Sequence, residues 1–179
     1  MKHARTITEL FTAAAIGGAF YVAGDQMATP LPIGEYIPAV GESFSGPLYK
    51  EPHDADTLKI LVGGKGVVTV RVNEIDAPEF GQPGGLTARQ WLRDMAGSEI
   101  LACKSTGRDR YCRTLADVRF SNGRRLADES VKAGMAWHYS EYSTSKELAE
   151  LQREAQRDQR GLWAGNNPIE PAKWRRGIR

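Results

Sequence analysis

Two short acidic stretches, HDADT at residues 53–57 and IDAPE at residues 75–79, each stand where a β-type pattern begins or ends. In extended backbone successive side chains alternate, so Asp54 and Asp56 share one side of the chain. Pro78 bends the second stretch and lets Glu79 turn back toward Asp76. If the two segments are antiparallel neighbours, the head of one and the tail of the other share an end, and the carboxylates converge. Such a group repels itself unless a cation or ordered basic groups stabilise it. Hard oxygen donors without histidine or thiolate point to calcium or magnesium rather than zinc. Arg71 precedes Asp76 on the same strand pattern, and DRYCRT at residues 109–114 adds Arg110 and Arg113 beside Tyr111. A guanidinium forks two hydrogen bonds onto phosphate oxygens, and a metal with two arginines neutralises the charge that develops when a phosphodiester is attacked. The conjunction therefore suits phosphodiester hydrolysis. Singly each piece is ordinary: HDADT reads as a polar turn, Arg71 as an outward strand residue, and Asp109 with Arg110 as a surface pair worth at most about 1 kcal/mol.

The elements that must position these groups follow from periodicity. LKILV at residues 58–62 and VVTVRV at residues 67–72 are β-branched runs joined by GGKG, the composition of a hairpin loop. EILAC at residues 99–103 and TLADVRF at residues 114–120 give two more strands, with Asn122 and Gly123 in a tight turn. Residues 87–96 put Ala88, Trp91, Leu92 and Met95 on one helical face, and residues 125–133 turn Leu126, Ala127 and Val131 inward. A third helix opens at Thr144, whose spacing to Glu147 makes a capping box, and runs through Leu148, Leu151 and Ala155 toward Gly161. Its opposite face, with Arg153, Arg157 and Arg160, reads as a solvated surface. Strands closing on themselves with helices inserted and appended define an α+β chain. The pattern suggests a small Greek-key barrel of the oligonucleotide-binding type, and by itself it also fits other α+β folds.

The totals bound the rest. The 179 residues hold one domain of ordinary size plus tails, and a composition 26% charged and 41% hydrophobic is that of a globular protein. A formal net charge of +2 does not by itself announce a nucleic-acid partner. Lys2 and Arg5 precede an apolar run at residues 10–24 that is too short to span a bilayer, the grammar of a secretory signal or, uncleaved, an anchor. Residues 1–24 are thus expected to be a signal peptide or membrane tether, the latter through residues 7–24, and residues 25–43, carrying Pro30, Pro32 and Pro38, a linker. The domain proper is expected at residues 44–165, ending in a basic tail at 166–179 that keeps the end solvated. An extracytoplasmic location follows, and with it the expectation that Cys103 and Cys112 bridge.

HDADT, RVNEIDAPE, DRYCRTLA, LADESVKAGMAW and EAQRDQRGLW, in this order, resemble the staphylococcal nuclease family over about residues 44–163. The resemblance implies an α+β fold, a five-stranded Greek-key barrel of the oligonucleotide-binding type with about three helices, and calcium-dependent cleavage of single-stranded or loosened DNA and RNA, with calcium ahead of magnesium or manganese. It places the ion on the carboxylates of Asp56 and Asp76 and the backbone carbonyl of Ala77, and the base that activates water on Glu79. Phosphate contacts fall on Arg71 and Arg113, accessory positions near the ion on Asp54 and Thr57, and substrate contacts on Tyr111 and on Tyr139 or Tyr142. Two positions depart from the family's pattern: Ala55 and Cys112 stand where glycines are usual. His53 and His138 match no functional position. A catalytically decayed nucleic-acid or protein-binding module of the same fold is the alternative. It is disfavoured because Asp56, Asp76, Glu79, Arg71 and Arg113 are all present, and a calcium-binding structural domain would not need the two arginines.

Overall fold

The computed structural model describes residues 34–165 and 167–179; the expected leader and the first part of the linker lie outside them. Among the described residues no helix is long and apolar enough to cross a membrane.

The described residues are mixed α+β, with a five-stranded sheet, a two-stranded sheet and four helices. Strand β1 (Ser43–Gly46) pairs antiparallel with β5 (Leu101–Arg108), β5 with β6 (Thr114–Arg119), and β2 (Thr57–Val62) with β3 (Gly66–Val72). β3 and β6 run parallel, giving the order β1-β5-β6-β3-β2. The two edges meet: just past β1, Tyr49 N donates to Lys59 O at 2.7 Å and Leu61 N to Pro47 O at 3.0 Å. Period-2 alternation explains the inward set, with Leu58, Ile60 and Val62 from β2 and Val68, Val70 and Val72 from β3 buried together. The hairpin over residues 63–65 falls where the glycine-rich loop was expected.

Helix α1 (Gly85–Ala96) buries Ala88, Leu92 and Ala96, with Trp91 and Met95 half-buried at its flanks. Helix α2 (Leu126–Lys132) buries Leu126, Ala127 and Val131, and Gly134 turns the chain at a φ of 70°. Helix α3 (Lys146–Arg157) corrects one reading: its cap is Ser145, whose hydroxyl accepts from Leu148 N at 3.2 Å, and Thr144 stands one position outside. A single turn (Gly161–Ala164) and a short helix α4 (Pro171–Arg175) complete the chain. Two short strands, β4 (Ile75–Asp76) and β7 (Trp137–His138), were too brief to leave a sequence pattern.

Two further expectations change. Within the segment read as linker, residues 34–36 lie along β3, with Tyr36 N donating to Val67 O and Val67 N to Gly34 O, each at 2.9 Å, and residues 41–42 bond to β5, with Gly41 N donating to Ser105 O at 2.8 Å and Ser105 N to Glu42 O at 2.9 Å. Cys103 and Cys112 are free, one buried and one exposed. The register shows why: Cys103 faces Val118, five residues down β5 from the Arg108 end where Cys112 sits, a separation of roughly 15 Å at strand rise. That is more than twice the span a disulfide closes.

Candidate active site

The site stands at one end of the sheet because three strand termini coincide there. Thr57, the first residue of β2, pairs with Arg71 near the end of β3, and Val72 N donates to Asp56 O at 2.8 Å, extending that ladder by one residue. The parallel pairing of β3 with β6 sets Val70 beside Thr114, which brings Arg113 to the same end. Asp76 is fixed by a separate device, the β4–β7 pairing of Asp76 with Trp137.

Asp56, Arg71 and Asp76 form a buried cluster, their side chains 7%, 11% and 4% exposed. One guanidinium nitrogen of Arg71, Nη2, lies 3.3 Å from Asp56 Oδ2 and 3.1 Å from Asp76 Oδ1, while Nη1 donates to Val72 O at 2.7 Å. The acids from HDADT and IDAPE therefore do converge, on a single positive nitrogen. Asp56 Oδ2 also accepts from Ala77 N at 2.7 Å, tying the two stretches together through the backbone. Burial pushes the Asp76 carboxyl above its ordinary value even though Arg175 and Arg71 pull the other way. Asp54 caps the turn by accepting from Thr57 N at 2.7 Å, and burial together with the charge of Asp56 pushes its carboxyl up to about 6. Thr57 links the cluster to the second arginine, since its hydroxyl donates to Asp56 Oδ1 at 3.2 Å and accepts from Arg113 Nη1 at 3.0 Å.

Arg113 is held by a residue that sequence reasoning set aside. Asp109 does not pair with Arg110; its Oδ2 accepts from Arg113 Nε at 2.7 Å and its Oδ1 from the backbone amides of Tyr111 and Arg113. Tyr111 is exposed, with the guanidinium groups of Arg110 and Arg113 over its ring at 4.9 and 5.5 Å. Glu79 is likewise set by an unforeseen neighbour, Gln82, whose buried amide oxygen accepts from Glu79 N at 3.1 Å. Gly85 contributes by its lack of a side chain, because a Cβ there would run into the Glu79 carbonyl. The largest omission is Arg175. The C-terminal stretch expected to be solvated sends this side chain into the site, with Nη1 and Nη2 at 3.1 and 2.9 Å from the two oxygens of Asp76, and Nη1 2.6 Å from Glu79 Oε1. Only Asp109 carried a usable signal, its four-residue spacing to an arginine.

The four acids Asp54, Asp56, Asp76 and Glu79 border one cleft of about 1000 Å³ together with Arg71, Arg113 and Arg175, and Tyr111, Tyr139, Tyr142, Arg108 and Arg110 also line it. Both candidate tyrosines are present, their ring centroids 4.7 Å apart. Among the described residues no three His, Cys, Asp or Glu side chains are grouped to hold an ion by themselves. The donors that fit a cation are the oxygens of Asp56 and Asp76, already converged on a positive nitrogen, with backbone carbonyl and water to complete the set. Oxygen donors of this kind suit a hard cation such as calcium or magnesium. His53 is exposed, 3.7 Å from Asp54, and His138 lies in β7 pairing with Ile75.

The family model for staphylococcal nuclease homologues matches residues 69–165, more than half of the chain. The chain belongs to the staphylococcal nuclease family. It is 43% identical over 123 residues to an uncharacterized endonuclease of Haemophilus influenzae, covering 69% of this chain and 68% of that protein. A micrococcal nuclease of Shigella flexneri is 38% identical over 133 residues, 69% of this chain and 76% of the relative. An uncharacterized endonuclease of Escherichia coli is 34% identical over 149 residues, 79% and 97% of the two chains.

The two departures from the staphylococcal nuclease family's glycines behave differently. Ala55 is fully buried and lies outside the left-handed region, which among described non-glycine residues holds only Glu74, Cys112, Gln159 and Asn167, so alanine costs nothing there. Cys112 has a φ of 63°, a conformation that costs a side-chain-bearing residue roughly 1–2 kcal/mol. Cys112→Gly is therefore expected to stabilise the fold by about 0.5–1 kcal/mol after the added chain entropy of glycine, measured as a raised denaturation midpoint. A lowered midpoint would mean that the turn over residues 109–113 is not under strain.

Proposed function

We propose that the protein is a calcium-dependent nuclease, an endonuclease acting on the phosphodiester bonds of DNA, RNA or both, built on an oligonucleotide-binding type barrel and working outside the cytoplasm behind its apolar leader. The observation that carries the reading is the meeting of Asp56 and Asp76, from two separate segments, on one buried positive nitrogen at the wall of a cleft that also holds Glu79 and Arg113. The names of the nuclease relatives support the same class.

Asp56 and Asp76 would hold the ion together with the Ala77 carbonyl, with Asp54 adding negative charge beside them and Thr57 orienting Asp56 toward it. When bound, the ion polarises a phosphoryl oxygen and makes nearby water more acidic. Glu79 takes the proton from the attacking water. The water oxygen forms its bond to phosphorus as the bond to the 5′ oxygen breaks, and the departing oxygen takes a proton from solvent, leaving a 3′ phosphate. Arg71 and Arg113 face the phosphate and neutralise its developing charge; Asp109 keeps the second guanidinium in place before the substrate arrives. Tyr111, Tyr139 and Tyr142 offer faces on which unpaired bases stack, which favours single-stranded or loosened substrates.

The test is digestion of denatured DNA with calcium and with chelator. Cleavage with calcium, reduced at least about a hundred-fold by chelation, is expected for a reaction that depends on stabilising the negative charge that develops on the oxygens of the five-coordinate phosphorus. Binding of single strands without cleavage in either condition would favour the decayed binding module instead.

A further inference from the structure

We propose that the C-terminal arm is an ion-competitive latch: Arg175 holds Asp76 and Glu79 in the ion-free protein and releases them when a divalent cation takes Asp76. The inference rests on the reading of Asp76 as an ion ligand and Glu79 as the base.

The geometry of the contact is blocking. The Arg175 fork engages both oxygens of Asp76, at 3.1 and 2.9 Å, and Oδ1 also accepts from Arg71 Nη2, so only Oδ2 keeps a lone pair free for an ion while the fork is in place. The guanidinium and the ion, both positive, then repel across the shared carboxylate. The same Nη1 lies 2.6 Å from Glu79 Oε1, so the fork also ties up an oxygen that the attacking water would need to reach. While Arg175 is in place, ion site and base are both engaged.

The arm is delivered to this position by contacts of its own. Gln82, itself buried, donates to Ile169 O at 2.6 Å while its oxygen accepts from Glu79 N, so one side chain fixes the loop of the base and the root of the arm. Pro171 is buried at the first turn of α4, and Arg179 folds back over the Trp174 ring at 3.7 Å. The Arg175 side chain is nevertheless 42% exposed, so it can swing out without opening the core. A fixed root with a half-exposed tip is the arrangement a reversible contact needs.

Calcium binding to the full chain, measured by calorimetry without nucleic acid, tests the latch. If the contact is open about a tenth of the time, Arg175→Ala is expected to tighten calcium about ten-fold, because apparent affinity scales with the fraction of competent protein. Arg175→Lys keeps the charge but loses the fork, and several-fold tightening in it separates displacement of a specific contact from simple loss of a positive charge. Hydrogen exchange supplies the second measurement: the amides of Trp174, Arg176 and Gly177, bonded within the arm, are expected to exchange faster with calcium than with chelator. Unchanged or weaker calcium binding in Arg175→Ala overturns the latch, as does exchange in the arm that ignores calcium. Lost hydrolysis at unchanged calcium affinity also overturns it and makes Arg175 a phosphate contact. Absence of both calcium binding and hydrolysis in the native chain and both variants is the failure of the nuclease reading, and the latch falls with it.

Discussion

Glu79→Gln is expected to slow hydrolysis of denatured DNA by about a thousand-fold, inside the ~10²–10⁴ that a positioned general base contributes. The amide keeps the shape of the side chain and still accepts a hydrogen bond from Arg175, but it cannot take a proton from water. Stability should barely change. The Glu79 side chain is 34% exposed, its pairing with Arg175 is a partly solvated contact worth at most about 1 kcal/mol, and Gln82 grips the loop through the Glu79 backbone amide. Single-turnover cleavage, calcium titration and thermal denaturation on the same preparation separate the outcomes. Full activity in the variant would remove Glu79 as the base. Lost activity together with lost calcium binding would make it a ligand.

What the sequence made legible follows the range of its patterns. Alternation over six or seven residues announced β2, β3 and β6, and a two-strand ladder then forced HDADT and IDAPE to one end without any knowledge of side-chain contacts. The convergence of Asp56 and Asp76 was legible for that reason. Two-residue strands such as β4 and β7 have no period to read, yet their pairing is what fixes Asp76. Arg175 was illegible for a different reason: it lies 99 residues from Asp76, behind a proline-interrupted segment, and a basic tail has the same composition whether solvated or docked.

The supporting side chains were hidden by their ordinary types. Gln82 in a glycine and proline turn looks like any polar loop residue; its role arises because it is buried and its two amide ends meet two backbone groups far apart in sequence. Asp109 beside Arg110 invited the adjacent pairing, whereas the turn at Cys112, with its positive φ, swings Arg113 back onto Asp109. The cysteines failed as a bridge on strand arithmetic alone once the hairpin register was known. Sequence shows which groups could do chemistry here; the loops that aim them depend on single bonds that leave no repeating mark.

Arg71→Ala is expected to show the second large effect, and on two quantities at once. In the ion-free protein it leaves Asp56 and Asp76 buried without the nitrogen they share. Removing one partner from a buried ion cluster commonly costs about 3–5 kcal/mol, and the lower end applies because Arg175 still neutralises Asp76. In a domain of this size that is a loss of about 10 °C in the denaturation midpoint. Hydrolysis should fall by about 10²–10³, the usual consequence of removing one donor aimed at developing charge. The diagnostic is the response to calcium. On the proposed metal site, a divalent ion held by Asp56 and Asp76 would supply the missing positive charge, so saturating calcium should raise the midpoint of Arg71→Ala by several degrees more than it raises that of the native chain. Arg71→Lys, which keeps a charge but not the fork, should recover most of the stability and little of the rate. Equal calcium shifts in native and Arg71→Ala proteins would show that the ion does not sit between these two carboxylates, and the assignment of the metal site would fail even if the enzyme cut DNA.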